Sequence, residues 1–161
     1  MKNVLASISM LAVAAVVARP VEAQARFGAH LAWAQDADFG IGARVGFPLG
    51  DELKRKGIEG LATFDYFFPK GYNLWEVSAN GLHHFTQGKQ VRPYVGAGIV
   101  LAHTSVGNST IGGSGSDFGF NLLGGVRFKA QERLLPFVEA RFELNHGSQF
   151  FLAGGVYFGK P

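Results

Sequence analysis

Charged and apolar side chains alternate near the C-terminal end of the chain, between residues 135 and 144. The charged positions are Glu139, Arg141 and Glu143, and the apolar positions are Val138, Ala140, Phe142 and Leu144. Successive side chains of a β-strand point to opposite faces of its sheet. This stretch therefore predicts a strand with one charged face and one hydrocarbon face.

The same period of two recurs along most of the chain, and turn residues divide it into eight stretches. We predict a strand in each, because alternating runs bounded by Gly, Pro, Asn or Asp are typical of strands. The predicted strands are 27–34, 38–47, 58–68, 72–85, 91–103, 117–129, 136–145 and 149–158. The first is the weakest, since its two faces differ least in polarity.

The apolar face of many predicted strands ends in aromatic residues, as at Phe39 and Phe47 or at Trp75 and Phe85. The opposite face carries charged residues in six of the eight strands. Membrane-spanning strands of about 9–11 residues, with aromatic girdles at both interfaces, have this pattern. A soluble sandwich or lipocalin-like barrel fits the same alternation if its apolar face turns inward.

Strands that cross a bilayer must close on themselves, because hydrocarbon offers no partner to the unpaired amides of a sheet edge. We therefore predict an all-β, eight-stranded, antiparallel up-and-down transmembrane β-barrel, whose interior is just wide enough for side chains to fill. Inward glycines such as Gly42 and Gly98 leave space there, and buried acids and bases must pair. The predicted polar network of the interior is Arg44, Asp65, Glu76, Asn80, Arg92, Asn121, Arg127, Glu139, Arg141 and Glu143.

The first 25 residues have the features of a secretory signal peptide. Lys2 gives a positive start, an apolar stretch covers 4–17, and Ala23-Gln24-Ala25 forms a small-x-small cleavage pattern. The apolar stretch is shorter than the ~20 residues of a spanning helix, which argues against a retained anchor. We predict cleavage after Ala25 and one barrel domain from 26 to 161.

Composition excludes several classes of protein. There is no cysteine, so neither a disulfide nor a lipid-modified cysteine can form. The formal net charge is +3 with acids and bases interspersed, so no basic block supports nucleic-acid binding. Phe occurs 15 times and Gly 23 times, a combination that favours bending, closely packed strands over disorder.

An even number of strands places both termini on one side of the barrel, which we expect to be periplasmic. The connections 48–57, 86–90 and 130–134 then lie on that side, and the others face outward. Of the outward connections only 103–116 is long, and it is rich in Gly, Ser, Thr and Asn. We expect this loop to be the variable part of the outer face.

Four segments carry a likeness to a known family: YVGAG at 94–98, NLLGGVRF at 121–128, PFVEARF at 136–142 and FLAGGVYF at 151–158. They resemble strands of the small outer-membrane β-barrel family, which includes OmpA-like, OmpX-like and OmpW-like barrels. The resemblance covers nearly all of the predicted mature chain and implies the outer membrane of a Gram-negative cell. It also implies contact with lipid and lipopolysaccharide, and insertion by the barrel-assembly machinery. Such barrels often end in an aromatic residue, whereas three residues follow Phe158.

Two motifs suggest chemistry, and a structural interpretation is favoured for both. His146-Gly147-Ser148 resembles the His-x-Ser of lipid A deacylase barrels, with Glu143 nearby, but Gly147 and Ser148 are typical of a tight turn. His83 and His84 would face opposite sides of a strand, so they would not chelate one metal ion. We predict no catalytic residue, no metal ligand and no cofactor.

The sequence thus predicts a monomer in the cell outer membrane with a structural or small-solute-permeation (porin-like) role and no enzymatic activity. Paired charges are expected to plug its interior. Two alternatives stay open. One is a lipid-modifying outer-membrane enzyme, and the other is a soluble secreted β-barrel that binds an apolar ligand.

Overall fold

The computed structural model describes residues 25–85, 90–105, 114–129, 134–144 and 148–159. Nearly all of the predicted signal peptide lies outside the described residues. In the described ranges the chain forms eight strands and one short helix, α1, at Asp51–Arg55 between β2 and β3. The strands are β1 (Arg26–Ala34), β2 (Asp38–Pro48), β3 (Ile58–Phe67), β4 (Asn73–His84), β5 (Val91–Ser105), β6 (Ser114–Phe128), β7 (Leu134–Leu144) and β8 (Ser148–Phe158).

The eight strands form one closed antiparallel barrel in which each strand pairs with its neighbours in sequence. Closure occurs between β1 and β8, where Ala29 lies opposite Val156 and Trp33 opposite Leu152. Because the sheet has no free edge, every strand has a partner for its backbone amides on both sides. The predicted eight-stranded antiparallel up-and-down barrel is confirmed.

Side chains alternate between the outside and the interior along every strand, and most of the large apolar ones lie outside. Leu31 is 68% exposed and Phe39 71% exposed, whereas the neighbouring inward residues Ala32 and Gly40 are buried. Along β7, Val138, Phe142 and Leu144 are exposed while the charged residues between them are buried. The apolar face of the alternation is therefore the outer face of the barrel, opposite to the arrangement in a soluble β-barrel.

The ladder between β5 and β6 continues beyond the predicted strand ends. Ser105 lies opposite Ser114 and His103 opposite Ser116, so the predicted 103–116 loop is too long. The alternation gives no signal here because these strand ends carry mostly Ser, Thr and Gly on both faces. Residues 106–113 lie outside the described residues.

Helix α1 occupies the connection between β2 and β3, where the sequence predicted only a connection over 48–57. Asp51 and Glu52 lie in its first turn and Lys54 and Arg55 in its last, which suits the helix dipole. Gly57 ends the segment with a φ of 76°, a left-handed conformation that favours glycine. None of the helices in the described part of the chain is long and apolar enough to cross a membrane.

Candidate functional site

The barrel interior is the candidate site, because it gathers the charged side chains of several strands. Nine of the ten residues predicted for the polar network are at most 7% exposed. The exception is Arg92, which is partly buried near the end of the barrel where β1 begins and β8 ends. We call this end the termini end, and the other the loop end.

The middle of the interior is crossed by a bidentate ion pair. Arg44 on β2 donates from Nη1 to Glu139 Oε2 at 3.1 Å and from Nη2 to Oε1 at 3.3 Å. Tyr94 on β5 donates its hydroxyl to Glu139 Oε2 at 2.8 Å. The Arg44 guanidinium also stacks on the Phe137 ring, 3.8 Å from its centroid. Charge-assisted bidentate bonds of this kind are among the strongest side-chain contacts, and they join strands far apart in sequence.

A second chain of contacts links this pair to β1 and β3. Arg44 Nε lies 3.3 Å from His30 Nδ1, and His30 Nε2 lies 2.5 Å from Asp65 Oδ1. Arg141 donates to Asp65 Oδ2 at 3.1 Å and to Glu143 Oε1 at 3.4 Å, and its Nη2 lies 3.6 Å from Glu139 Oε1. We define the central network as this connected set: His30, Arg44, Asp65, Tyr94, Glu139, Arg141 and Glu143.

Space for the central network comes from an inward glycine. A Cβ built on Gly42 would overlap both the His30 ring and the Asp65 carboxylate. Gly42 lies directly opposite His30 in one neighbouring strand and Asp65 in the other. Because Gly42 has no side chain, His30 on β1 and Asp65 on β3 can contact each other across β2.

The interior also holds apolar side chains around the predicted polar network. Leu61, Leu82 and Phe137 are buried among the inward residues, and Tyr157 is fully buried beside Phe137. Leu135 and Phe137 have the same parity as Glu139, so the alternation in β7 already places apolar residues on the inner face. These apolar side chains fill the cross-section of the barrel around the charged residues.

Towards the loop end the interior polar groups are less completely bonded. Glu76 and Glu143 are both buried, and Asn121 lies opposite Glu143 in the ladder. Within the described residues, Glu76 Oε2, Glu143 Oε2 and both amide atoms of Asn121 have no hydrogen-bond partner. A buried polar atom left unbonded costs about 1–3 kcal/mol, so Glu76 and Asn121 contribute less stability than the fully paired Arg44 and Glu139.

A separate cluster occupies the termini end. Arg127 donates from Nη1 to Glu59 Oε2 at 2.9 Å and to Oε1 at 3.1 Å, and from Nη2 to the Tyr157 hydroxyl at 3.1 Å. His84 Nε2 lies 3.2 Å from Glu59 Oε2. We define the mouth cluster as Arg26, Glu59, His84, Arg92 and Arg127. Two of the predicted network residues, Arg92 and Arg127, thus belong to a different site from the others.

The central network contains two residues that sequence reasoning did not assign to it, His30 and Tyr94. His30 lies on β1, the predicted strand with the weakest alternation, so its inward position carries little signal in the sequence. Its partner Asp65 is 35 residues away, and no local spacing connects the two. Only the register of β1, β2 and β3 brings them together.

The described residues also contain a serine–histidine contact. His103 Nδ1 lies 2.8 Å from Ser116 Oγ at the loop end, and the His103 ring lies against Trp75. The parity of β5 and β6 places this pair on the outer face. Of the His-x-Ser motif, His146 and Gly147 lie outside the described residues. Among the residues that the structure describes, no group of three or more His, Asp or Glu is arranged to hold a metal ion.

Comparison by sequence gives no relative: no protein-family model matches the chain, and no curated protein does either. Comparison of structures gives clear matches. The N-terminal β-barrel domain of Pseudomonas aeruginosa OprF matches with a TM-score of 0.71 and 18% identity, over 83% of this chain and 95% of that one. Neisserial surface protein A (NspA) matches with a TM-score of 0.64 and 16% identity, over 83% and 94% of the two chains.

An enzyme is also among the matches. The outer membrane enzyme PagL gives a TM-score of 0.50 and 17% identity, over 83% of this chain and 98% of that one. At these identities the likeness concerns the fold, and the fold alone does not decide between a catalytic and a non-catalytic barrel. The chain has the fold of the small eight-stranded outer-membrane β-barrels.

Proposed function

We propose that this chain is a structural barrel of the outer membrane whose interior is closed by paired charges. The Arg44–Glu139 pair carries the proposal, since both side chains are 0% exposed in the middle of the barrel. A pair that spans the interior occupies the space through which a solute would pass. The fold shared with outer-membrane barrels supports the location.

Residence in a membrane is supported by the outer surface. Large apolar side chains such as Leu31, Phe39 and Phe142 are exposed around the barrel, and in water such a surface would cause aggregation. The alternative of a soluble barrel with an apolar ligand needs an apolar interior, whereas this one holds buried charges. We expect a band with heat-dependent gel mobility in the detergent-soluble membrane fraction only. Full recovery from the aqueous periplasmic fraction without detergent would contradict a membrane location.

Closure of the interior is tested by conductance. Arg44, Tyr94 and Phe137 are each at most 2% exposed, and they come from three strands. We expect no steady single-channel current when the pure protein is inserted into planar bilayers. Steady currents would instead favour the porin-like role in small-solute permeation.

Export and assembly form a further part of the proposal. Residues 1–25 act as a signal peptide, and the mature chain begins at Arg26. The mass of the protein purified from outer membranes tests this directly. Lipid and lipopolysaccharide surround the barrel, the barrel-assembly machinery inserts it, and the mature protein is a monomer.

A second candidate function, hydrolysis of a lipid ester, rests on the contact between His103 and Ser116. A hydroxyl within hydrogen-bond reach of an imidazole is a minimal nucleophile and base pair, and this one lies on the outer face at the loop end. Fatty-acid release from lipopolysaccharide that is abolished by Ser116→Ala would establish this activity. Equal, background release by the wild type and the variant would eliminate it.

A further inference from the structure

A cavity of about 160 Å³ opens at the termini end of the barrel. Holding one water molecule takes roughly 10–15 Å³ of such space, so the cavity has room for an anion the size of a phosphate group. Apolar residues form part of its wall, including Phe47, Phe128 and Leu135. An apolar wall lowers the local dielectric constant and strengthens the attraction between charges inside it.

The charges that line this cavity are unbalanced. Among the residues that the structure describes, the cations of its wall are Arg26, Lys54, Arg92, Arg127 and Lys129, and the acid is Glu59. Asp51 and Glu52 on the nearby helix α1 are exposed and are not part of the lining. The cavity therefore carries a clear excess of positive charge.

Glu59, the carboxylate in the described wall of the cavity, is already bonded. Glu59 accepts two hydrogen bonds from Arg127 and contacts His84. Arg26 lies within the field of Arg92 and Arg127 as well as of Glu59. Like charges gathered at one partly buried place repel one another, so Glu59 alone does not balance the mouth cluster.

Unused hydrogen-bond donors accompany the excess charge. Within the described part of the chain, Arg92 Nε and Arg127 Nε are buried without a hydrogen-bond partner. The Arg127 side chain is only 3% exposed. Guanidinium groups are fixed forks of donors whose geometry matches the oxygens of phosphate and carboxylate groups.

We propose that the mouth cluster is a binding site for an oxyanion of the phosphate class. The anion enters from the termini end, contacts the guanidinium groups of Arg26 and Arg92, and lies beside the Arg127–Glu59 pair. Such a group could be free phosphate or the phosphate of a lipid headgroup, since the cavity opens at the barrel rim. The site lies on the termini-end side of the ion pairs that close the barrel.

Arginine Nε–H signals in nuclear magnetic resonance spectra test the site in the intact protein. The folded barrel in zwitterionic nanodiscs is titrated with inorganic phosphate, with sodium chloride added to keep the ionic strength equal. We expect saturable shifts of the Arg26 and Arg92 signals. The Arg44 and Arg141 signals, which belong to the central network, should not move.

Variants identify the binding groups. Arg26→Gln and Arg92→Gln should each weaken the apparent affinity for phosphate about tenfold, the loss of one charge-assisted hydrogen bond. Lys70→Gln is the matched control, because Lys70 is an exposed cation in the connection at the loop end. It should leave the affinity unchanged. Heat-dependent gel mobility verifies that each variant is folded.

A second titration arm separates the two sources of phosphate. Nanodiscs that contain phosphatidylglycerol replace the zwitterionic ones, with no phosphate added. Shifts of Arg26 and Arg92 in this arm assign the site to a lipid headgroup, and shifts only with inorganic phosphate assign it to a free anion. The proposal is overturned if neither arm gives saturable shifts, or if Lys70→Gln weakens binding as much as Arg92→Gln.

Discussion

The central network and the mouth cluster use the same residue types on the same inner face of the barrel, but they differ in charge balance. In the centre, Arg44 pairs with Glu139, and Arg141 contacts Asp65, Glu139 and Glu143. At the mouth, Arg26, Arg92 and Arg127 line a cavity whose described wall has one acidic residue, Glu59. The difference indicates that the acidic residues at the same height along the barrel decide the role of an inward arginine. With enough acids it forms ion pairs that close the barrel, and with too few it leaves a cationic surface.

This contrast also explains what each region can do. A charge that is buried and paired holds strands together, and removing its partner is strongly destabilising. A partly exposed charge contributes little to stability, because water and salt screen it. We therefore expect substitutions in the central network to affect folding, and substitutions of the partly exposed Arg26 and Arg92 to affect binding.

The largest effect is expected for Glu139→Ala in the central network. It leaves Arg44 buried without its carboxylate, and should lower the free energy of unfolding by about 3–5 kcal/mol. Urea unfolding in lipid vesicles, followed by tryptophan fluorescence, measures the loss. The matched control is Glu52→Ala on the exposed helix α1, which should change stability by less than about 0.5 kcal/mol. Equal losses for the two variants would contradict a stabilising central network.

An arginine, which the interior accommodates at position 141, is expected to be destabilising on the outer face at position 142. Phe142 follows Arg141 on β7 and is 41% exposed on the opposite face. Phe142→Arg should destabilise the barrel by about 2–4 kcal/mol in lipid, because it places a charge in hydrocarbon. Phe142→Leu is the control and should have a much smaller effect. An unfolding free energy of Phe142→Arg equal to that of the wild type would refute the assigned facing.

A smaller loss is expected where a glycine makes room for the central network. Gly42→Ala puts a methyl group against His30 and Asp65, and such overpacking costs about 1–3 kcal/mol. Gly81→Ala provides the comparison, since a Cβ on Gly81 meets no atom within 4 Å. It should change the unfolding free energy by less than about 0.5 kcal/mol. If the two variants lose the same stability, His30 and Asp65 do not need the space.

The smallest effect is expected at the mouth. Arg92→Ala should lower stability by less than about 1 kcal/mol. The unfolding free energy of Arg92→Ala, relative to that of the wild type, should be higher at low salt than at high salt. The reason is that the substitution relieves repulsion among the guanidinium groups, which salt screens. Arg141→Ala sharpens the contrast: it leaves Glu143 without its cationic partner and takes one of two partners from Asp65, and it should cost about 3 kcal/mol or more. Unfolding curves at two sodium chloride concentrations test both variants, and a larger loss for Arg92→Ala would reverse the comparison.

Much of the fold could be predicted from the sequence, because lipid on one side and packed side chains on the other impose a strict alternation. Phe39, Ile41 and Val45 on β2 show the facing without any tertiary information. The alternation is absent where the chain contacts neither lipid nor the packed interior. The extended ends of β5 and β6 and the helix α1 lie in such regions, so their sequences carry no period of two.

The candidate site could be predicted only as a set of inward residues. Parity tells that Arg44, Arg92 and Arg141 point inward, but not which acids lie at the same height. That depends on the register of all eight strands, which places His30 beside Asp65 and Arg127 beside Glu59. The division into a centre rich in acids and a mouth rich in arginines is therefore a property of barrel closure and of no single strand.

A double-mutant cycle on Arg44 and Glu139, measured by unfolding in lipid vesicles, tests the central claim most directly. The claim is that this buried pair acts as one unit that closes and stabilises the barrel. Arg44→Ala and Glu139→Ala should each be strongly destabilising, and the double variant should lose far less than the sum, with a coupling energy of about 1–3 kcal/mol. Losses that add without coupling would show that the two charges do not stabilise the barrel as a pair.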